Sequence, residues 1–468
     1  MKIHLAGVCG TAMASLAGLL KQRGHELTGS DQDVYPPMST QLEALGIPVL
    51  SPYAAANVPE DAELVVIGNA LSRGNPEVEA VLDRKQRYTS LPALLADEFL
   101  RGRTSLVVAG THGKTTTTSM LAFLLERGGL LPSFLIGGVA QDFGTSQRLG
   151  HGPHFVVEGD EYDSAFFDKR PKFLHYLPDV AIINNVEYDH ADIYPDLDSV
   201  KTAFVRLMQL VPRRGLLVAG VESPALVEIL PRACSRVCTF ALDADADWRG
   251  VDVESEPSGT SFGVLRRGQD LGRFRLSLQG RHNLRNALAA LAAASEAGVS
   301  LEAARGALPE FRGVRRRLEL LGRVGGVAVY DDFAHHPTAV RETLAALRAV
   351  ERAPLAKGGR LIAVFEPRSF TSRTRVFQDD FAAAFSGADL VVIAAAHLPG
   401  KLPEAQRISE QDIVSAIAAR GGSARFVPSV PEIVSALARE CREGDVVAIL
   451  SNGGFGGIHG RLLQSLGA

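Results

Sequence analysis

The chain has 468 residues, of which 22% are charged and 46% hydrophobic, and its formal net charge is −4. This length predicts about three domains, and the balanced charge gives no reason to expect a nucleic-acid partner. The four cysteines are too few and too scattered for a disulfide framework, so we expect reduced thiols. No segment approaches the ~20 apolar residues that span a bilayer.

The first residues imitate a signal peptide, because positions 3–20 carry no charged side chain and follow Lys2. Gly7 and Gly10 interrupt this apolar run at its centre. The pattern therefore predicts a strand at residues 2–6, a glycine turn, and a helix at residues 11–21.

The same glycine turn is close to a dinucleotide-binding fingerprint. Asp31 lies 24 residues beyond Gly7, but the G-x-G start and the third glycine are absent. Strands are predicted at residues 26–29 and 64–68. The turn can hold a pyrophosphate through its backbone amides, whereas NAD itself is only weakly supported.

Residues 105–116 are the most informative stretch. An apolar run ends at Ala109 and is followed by Gly-Thr-His-Gly-Lys-Thr-Thr and then a helical pattern. A strand, a loop and a helix N-terminus make a phosphate cradle, in which Lys114 would reach the terminal phosphates and Thr115 would offer a hydroxyl to Mg²⁺. The general P-loop pattern has glycine where this chain has Val108. The stretch predicts binding of a nucleoside triphosphate.

Two polar clusters follow apolar strands in the central part of the chain. The clusters comprise Glu158, Asp160 and Glu161 after one strand, and Asn184, Asn185, Glu187, Asp189 and His190 after the strand at residues 180–183. Because ligands in open α/β sheets bind at the carboxyl ends of the strands, both clusters should face the same rim as Thr115. Their oxygen and imidazole groups could surround a Mg²⁺ that bridges the phosphates.

The remainder of the central part predicts a more antiparallel portion at residues 237–278 and an alanine-rich helix at residues 283–297. Residues 312–317, rich in arginine, indicate a hinge. Beyond it, strands are predicted at residues 327–330, 361–364, 390–393 and 445–450, with a helix after Pro337.

His335 and His336 follow a predicted strand end and raise a zinc hypothesis. Adjacent residues point apart, and no cysteine pair follows them, so a zinc site is disfavoured. A neighbouring carboxylate that contacts a nucleotide ribose or base is the favoured interpretation of this loop.

In combination these motifs resemble the Mur ligase superfamily, whose members join amino acids and peptides to UDP-N-acetylmuramic acid. The resemblance covers the whole chain. It rests on residues 110–115, Glu158, Asp189, His190, His282, Asn283, Asn286, Arg317 and Asp332. It implies an α/β fold with a Rossmann-like UDP-sugar-binding domain (1–101), a P-loop-type ATP-binding domain with a mainly parallel sheet (102–313), and a Rossmann-like domain that binds the peptide and closes over ATP (314–468).

The resemblance also implies roles for individual residues. Lys114, Glu158 and His190 would be catalytic, and Thr115, Glu158 and His190 would serve Mg²⁺. ATP would contact Gly110, Thr111, His112, Gly113, Lys114, Thr115, Thr116, Asn283, Asn286, Arg317 and Asp332. The UDP-sugar would contact Gly7, Gly10, Thr11, Ser30, Asp31 and Asn69.

Residues 29–40, 160–170 and 451–459 are similar to one branch of this family. That branch joins L-alanyl-γ-D-glutamyl-meso-diaminopimelate to UDP-N-acetylmuramate through an acyl phosphate during peptidoglycan recycling. The alternative is the branch that adds a single L-alanine in new peptidoglycan synthesis. Either branch implies ATP, Mg²⁺ and a bacterial cytoplasmic setting, with no membrane, nucleic acid or obligate protein partner.

A peptide with several carboxylates needs a basic pocket, and Arg368, Arg373 and Arg375, together with His335, are the candidates. Several family members place a modified lysine about fifteen residues after the histidine that matches His190. This chain has Phe204 and Val205 there, so a carbamylated lysine bridging two metals is not expected.

Two alternatives belong to other functional classes. A protein that uses the phosphate loop as an ATP-driven switch would hydrolyse ATP without consuming a sugar nucleotide. A nicotinamide dehydrogenase would rest only on the imperfect turn between Gly7 and Gly10.

Overall fold

The computed structural model describes residues 1–32, 34, 38–256, 258–397 and 403–467. Three large sheets follow one another along these residues, and we call the parts built on them the N-terminal, central and C-terminal units. Helices alternate with strands in each unit. The prediction of three α/β units with mainly parallel sheets is confirmed.

The N-terminal unit is an α/β sandwich around a five-stranded sheet. Its elements are β1 (Lys2–Ala6), α1 (Thr11–Gln22), β2 (Glu26–Ser30), α2 (Met38–Ala44), β3 (Val49–Leu50), β4 (Leu64–Ile67), α3 (Pro76–Asp83), β5 (Tyr88–Ser90) and α4 (Leu91–Leu95). All neighbours in the order β3-β2-β1-β4-β5 are parallel. The predicted strand, glycine turn and helix at the start of the chain are confirmed.

The central unit is built on a ten-stranded sheet. Its first elements are β6 (Thr104–Ala109), α5 (Lys114–Arg127), β7 (Ser133–Ala140), β8 (Thr145–Arg148), β9 (His154–Glu158), β10 (Asp163–Ala165), β11 (Asp168–Pro171), β12 (Val180–Ile183) and α6 (Leu197–Leu210). Strands β10 and β11 form a separate antiparallel hairpin.

The second half of the central unit completes the sheet. Its elements are β13 (Leu216–Gly220), α7 (Pro224–Ile229), β14 (Arg236–Ala241), β15 (Trp248–Glu256), β16 (Gly259–Arg266), β17 (Gln269–Leu276), α8 (Arg281–Glu296) and α9 (Leu301–Ala307). The strand order is β17-β16-β15-β14-β13-β12-β6-β9-β7-β8.

The antiparallel portion of this sheet is shorter than the sequence predicts. Strand β14 pairs parallel with β13 and with β15, so antiparallel pairing on this side begins only between β15 and β16. A run of short strands separated by turn residues indicates strands but not the direction in which each one pairs. The predicted start at residue 237 is therefore wrong by one strand.

Alanine makes the packing of α8 possible. The buried face of α8 includes Ala287, Ala289, Ala290 and Ala293, and this helix lies against α5. Small side chains allow two helix backbones to approach closely. Because α5 begins at Lys114, this contact fixes the helix whose N-terminus faces the phosphate loop.

The C-terminal unit has a six-stranded sheet. Its elements are β18 (Glu319–Val324), β19 (Val327–Asp332), α10 (Pro337–Val350), α11 (Arg352–Ala356), β20 (Leu361–Phe365), α12 (Gln378–Ala384), β21 (Leu390–Ile393), α13 (Glu410–Ala419), β22 (Ala424–Phe426), α14 (Val430–Glu440), β23 (Val446–Leu450) and α15 (Ile458–Leu466). Only β18 is antiparallel in the order β18-β19-β23-β20-β21-β22.

The units differ in how they are joined. One hydrophobic cluster runs from the N-terminal unit into the central unit, and α1 packs on β7 and β8, where the hydroxyl groups of Ser15 and Ser146 are 2.8 Å apart. The two clusters of the C-terminal unit consist of that unit's own residues, from Leu318 to Leu466. The N-terminal and central units therefore share a core, whereas the C-terminal unit has its own.

The connection into the C-terminal unit runs along the edge of the central sheet. The Gln141 amide donates to the Gly313 carbonyl at 2.9 Å, and the Arg315 amide donates to the Val139 carbonyl at 3.0 Å. The Arg312 side chain binds Asp142. These bonds fix the start of the predicted hinge at residues 312–317 on β7 and its following turn.

Among the described residues, the helices are all too short or too polar to cross a membrane.

Candidate functional site

A cleft of about 1480 Å³ lies where the three units meet. Thr11 lines it from the N-terminal unit, Lys114 from the central unit, and Arg368 from the C-terminal unit. The carboxyl ends of β6, β9 and β12 open into it, as expected for parallel α/β sheets. The cleft is the candidate active site.

The phosphate loop connects β6 to α5 and depends on two glycines. Gly110 and Gly113 have φ values of +129° and +80°, a region that side chains strongly disfavour. A Cβ on Gly113 would also collide with the side chains of Asn286 and Asn184. Glycine at position 113 is therefore required by both the backbone angle and the surrounding space.

Residues that directly follow β12 hold the loop in place. Asn185 accepts the His112 amide at 2.8 Å, and Asn184 donates to the His112 carbonyl at 3.2 Å. The Thr111 hydroxyl exchanges hydrogen bonds with the main chain of Glu187. The strand-end cluster at residues 184–190 thus braces the loop as well as facing the cleft.

The Lys114 side chain is 13% exposed, and its ammonium group lies in a cage of oxygen atoms. Nζ donates to the carbonyls of Gly110 at 2.8 Å and Thr111 at 3.2 Å, and to Glu161 at 2.9 Å. Burial alone would lower the pKa of Lys114, but the carboxylates of Glu161 and Asp160 outweigh it and raise the pKa. The side chain is positively charged at neutral pH and lies at the base of the phosphate loop.

Thr115 and Glu158 form the second half of this site. The Thr115 hydroxyl donates to Glu158 Oε1 at 2.9 Å, and the Gly137 amide donates to Oε2 at 2.7 Å. Burial raises the pKa of Glu158, although Lys114 and these two donors oppose the effect. Adjacent ligands of an octahedral Mg²⁺ at about 2.1 Å lie about 3 Å apart. The Thr115 hydroxyl oxygen and Glu158 Oε1 therefore have the chemistry and spacing that a bound Mg²⁺ requires.

His190 lies with Glu161 on the other side of Lys114. Its Nε2 is 2.9 Å from Glu161 Oε1, and its φ of +54° places the residue in the left-handed region. Burial would lower the pKa of His190, but Glu161 and Asp189 raise it to about 9. The structure thus brings all three predicted catalytic side chains, Lys114, Glu158 and His190, into one charged cluster.

Two further acidic residues complete the cluster. Asp160 accepts from Lys172 Nζ at 2.7 Å; burial would raise its pKa, but Lys172 and Lys114 lower it to about 2. Glu161 contacts both Lys114 and His190. The sequence placed Glu161 in the acidic cluster without a role of its own; its contact with the loop lysine depends on folding and has no local sequence signal.

The predicted ATP contacts of α8 and the C-terminal unit reach the same cleft. Asn283, Asn286, Arg317 and Asp332 all line it. Asn286 donates to Asn283 at 3.2 Å, and the Arg317 guanidinium lies 3.4 Å from the Thr115 hydroxyl. Asp332 accepts the amides of Leu318 and Ala334. Asp332 therefore braces the connecting segment; contact with ATP stays a prediction.

The tandem histidines point apart, as expected. His335 Nδ1 lies 3.0 Å from the Phe333 carbonyl, whereas His336 Nε2 lies 3.2 Å from the Tyr188 carbonyl. His336 does approach His112 and Glu187, with one ligand-type atom of each within 4.8 Å of the others. Its Nδ1 already accepts the Thr338 amide at 3.3 Å. Both ring nitrogens of His336 are therefore engaged in hydrogen bonds within this cluster.

Of the six predicted UDP-sugar contacts in the N-terminal unit, one lines the cleft and five do not. Thr11 lines the cleft, and the carboxylate of Asp31 accepts the Cys9 amide at 2.8 Å beneath the glycine turn. The Ser30 hydroxyl is buried and donates to Glu77.

Gly7, Gly10, Ser30, Asp31 and Asn69 are all outside the cleft lining. Gly7 is needed for the turn, with φ of +85°, and Gly10 and Asn69 are exposed. Asp33 and residues 35–37 of the stretch that suggested the tripeptide branch lie outside the described residues.

Of the predicted peptide-binding residues, Arg368 and His335 line the cleft and Arg373 and Arg375 do not. The Arg373 guanidinium donates to the His397 carbonyl at 3.0 Å, and Arg375 donates to the Arg407 carbonyl at 3.1 Å. Arg373 ends one short 3-10 turn and Arg375 begins the next, and both side chains bind main-chain groups of their own unit. The sequence could not distinguish these directions, because the three arginines share one loop.

Family profiles match nearly the whole chain. The Mur ligase family catalytic domain matches residues 2–102, the Mur ligase middle domain matches residues 108–294, and the Mur ligase glutamate ligase domain matches residues 316–453.

Full-length relatives carry two different names. The UDP-N-acetylmuramate–L-alanyl-γ-D-glutamyl-meso-2,6-diaminoheptandioate ligase of Escherichia coli strain K12 is 43% identical, covering 100% of this chain and 98% of the relative. The UDP-N-acetylmuramate–L-alanine ligase of Chelativorans strain BNC1 is 37% identical, covering 96% and 95%. A crystal structure of a murein peptide ligase from Psychrobacter arcticus 273-4 has a TM-score of 0.76 at 38% identity, covering 100% and 99%.

We expect Gly113→Ala to weaken ATP binding by about tenfold or more, since strain at a positive φ of about 1–3 kcal/mol adds to the collision with Asn286. Gly129→Ala is the matched control, because Gly129 has φ of +78° but open space around its Cβ position. Calorimetric titration with ATP measures both. Equal losses in the two variants would contradict the assigned role of the loop geometry.

We expect the charge on His190 to stabilise the protein in the absence of nucleotide and divalent metal. Its pKa is raised from 6.5 to about 9, so this stabilisation is complete below pH 6.5 and is lost as pH rises through 9. The melting temperature of the wild type relative to His190→Gln should therefore fall over that interval. A difference between the two proteins that is constant with pH would contradict this assignment.

Proposed function

The chain belongs to the Mur ligase family, a family of ATP-dependent ligases, and on that premise we propose that it joins the tripeptide L-alanyl-γ-D-glutamyl-meso-diaminopimelate to UDP-N-acetylmuramate. The observation that carries the proposal is the meeting of a phosphate loop, Lys114 and the Thr115–Glu158 pair in one cleft lined by all three units. Such a cleft can bring ATP and two further substrates together.

The choice of tripeptide over L-alanine rests on sequence. The chain is 43% identical to the tripeptide ligase of Escherichia coli, against 37% for the alanine ligase of Chelativorans, both at nearly full length. Overall shape does not discriminate, because an alanine ligase from Thermotoga maritima has a TM-score of 0.82 at 25% identity. Sequence identity is the better discriminator, because both branches share the fold. The TM-score also depends on how the units are arranged relative to one another.

The proposed reaction solves one chemical problem. The lactyl carboxylate of the sugar is anionic and resists attack by an amine. Transfer of the γ-phosphoryl group of ATP to a carboxylate oxygen gives an acyl phosphate and ADP. The free α-amine of the peptide then attacks the acyl carbon, the C–O bond to phosphate breaks, and the products are an amide, inorganic phosphate and a proton. Positioning and charge neutralisation supply most of the catalysis in such reactions.

We assign the ATP-side chemistry to the central unit, residues 102–313. Lys114 would exchange its contact with Glu161 for the phosphates and neutralise charge on the transferring group. Thr115, Glu158 and His190 would hold Mg²⁺, which supplies Lewis-acid stabilisation of the phosphoryl oxygens when bound. Asn283 and Asn286 lie where the rest of the nucleotide would enter.

We assign the UDP-sugar to the N-terminal unit, residues 1–101, and the peptide to the C-terminal unit, residues 314–468. The Thr11 end of α1 faces the cleft on the sugar side. Of the three arginines predicted for the peptide, Arg368 lines the cleft and could receive a peptide carboxylate. A role in peptidoglycan recycling in the cytoplasm agrees with these substrates and stays a prediction from the resemblance.

Incubation with ATP, UDP-N-acetylmuramate and either tripeptide or L-alanine tests the proposal by phosphate release. We expect release with the tripeptide to exceed release with L-alanine by at least about thirtyfold in kcat/KM, since a lost charged contact costs about 2 kcal/mol or more. Lys114→Ala should release no phosphate with either amine and so controls for contaminating ATPases. Preference for L-alanine would support the sister activity instead.

A further inference from the structure

Several polar contacts join the central and C-terminal units, among them those of Glu342 on α10 with His282 and Arg285 on α8, and a group of hydrogen bonds at residues 187–191. In this group, Glu187 and Tyr188 contact the start of α10 and the residue before it, and Ala191 contacts the loop after β20. The Ala191 amide donates to the Thr371 hydroxyl at 3.3 Å, and His336 Nε2 lies 3.2 Å from the Tyr188 carbonyl. Because the C-terminal unit has its own hydrophobic core, contacts of this kind decide whether it stays docked.

Glu187 lies at the centre of this contact and is not among the residues assigned to a substrate above. Its Oε2 accepts the Thr338 hydroxyl of the C-terminal unit at 2.7 Å and lies 3.3 Å from His112 Nε2 of the phosphate loop. One carboxylate oxygen therefore joins the docking surface of one unit to the nucleotide-binding loop of the other.

The main chain of Glu187 strengthens this connection. The Glu187 amide donates to the Thr111 hydroxyl at 2.9 Å, and that hydroxyl donates to the Glu187 carbonyl at 3.2 Å. These two bonds hold the main chain of Glu187 in place. Glu187 thus contacts two consecutive residues of the phosphate loop, Thr111 and His112. A movement of the carboxylate is transmitted to the loop over a single residue.

The contact with Thr338 also brings the Glu187 carboxylate close to the N-terminus of α10. Thr338 is the second residue of α10, a helix of 14 residues. The N-terminus of a helix carries partial positive charge and stabilises a nearby anion. The carboxylate of Glu187 meets this helix end only while the C-terminal unit is docked on the central unit.

Aromatic rings enclose the contact on one side. The rings of His112 and His336 are 4.6 Å apart, and the rings of His336 and Phe377 are 4.9 Å apart. The Glu187 side chain is 35% exposed, so the rings shield it in part from water. Partial exclusion of water strengthens its hydrogen bonds relative to those on an open surface.

We propose that Glu187 is a positioning residue that couples docking of the C-terminal unit to the geometry of the phosphate loop. The inference rests on the proposed function in one respect, since an acyl phosphate must be kept from water by closure of the cleft. In this role Glu187 acts through its contacts with Thr338 and His112 rather than through a contact with a substrate.

Glu187→Gln tests the role, because it keeps the shape of the side chain and removes its charge. We expect kcat to fall about tenfold, the loss typical of one charge-assisted hydrogen bond, while the KM for UDP-N-acetylmuramate and the melting temperature stay at wild-type values. Amide hydrogen exchange at residues 333–338, measured with a non-hydrolysable ATP analogue, should become faster.

Two further variants separate coupling from a general effect of substitution. Glu126→Gln makes the same change in a carboxylate that is paired with Arg148 inside the central unit and is 27% exposed, and it should change none of these measurements. Thr338→Val removes the hydroxyl donor without changing side-chain size. It should reduce kcat in the same direction as Glu187→Gln, and the double variant should lose less than the product of the two single effects.

Multiplicative losses in the double variant, or an unchanged kcat in Glu187→Gln, would overturn the proposal. So would a rise in the KM for UDP-N-acetylmuramate by the same factor as the fall in kcat/KM, because that pattern belongs to a substrate contact. The hydrogen-exchange measurement needs neither the sugar nor the peptide. Failure of the proposed ligase reaction in the wild type is therefore distinguishable from failure of the coupling.

Discussion

The buried ammonium group of Lys114 is the interaction around which the site is organised. It holds Glu161 directly, and it lowers the electrostatic cost of burying Asp160 and Glu158 nearby. Carboxylates buried this close together require cations. Without substrate the protein's own lysines and His190 supply the positive charge; with ATP and Mg²⁺ the balance can be redistributed. A site of this kind is stable when empty and is prepared for a highly charged ligand.

Parallel strands bring these residues together. The carboxyl ends of β6, β9 and β12 lie side by side, so loops distant in sequence share one rim. The shared core between the N-terminal and central units makes two walls of the cleft a single body. The third wall is carried by a unit with a separate core and polar contacts. This division suits an enzyme that must admit three substrates and then exclude water.

Much of this architecture could be predicted from local pattern. The phosphate loop has a strong signal because Gly113 and Lys114 serve one function at fixed spacing. The strand-end rule correctly placed Glu158 and His190 near Thr115. Apolar runs located inner strands of all three sheets, such as β4, β6 and β23, because a strand buried on both faces has a continuous apolar sequence.

What the sequence could not provide depends on long-range packing. Arg368 and Arg373 are five positions apart, yet only Arg368 lines the cleft. The buried bond from Ser30 to Glu77 and the contact between Glu187 and Thr338 each join residues that are far apart in the chain. No local periodicity encodes such pairs. For the same reason, the sequence does not show that β14 pairs parallel with β15.

The proposed reaction requires the sugar carboxylate itself to attack the terminal phosphoryl group of ATP. An isotope experiment tests this attack. The reaction is run with UDP-N-acetylmuramate that carries ¹⁸O in its lactyl carboxylate, and the released phosphate is analysed by mass spectrometry. One labelled oxygen should appear in inorganic phosphate for each amide formed. Amide formation with unlabelled phosphate would contradict activation through an acyl phosphate.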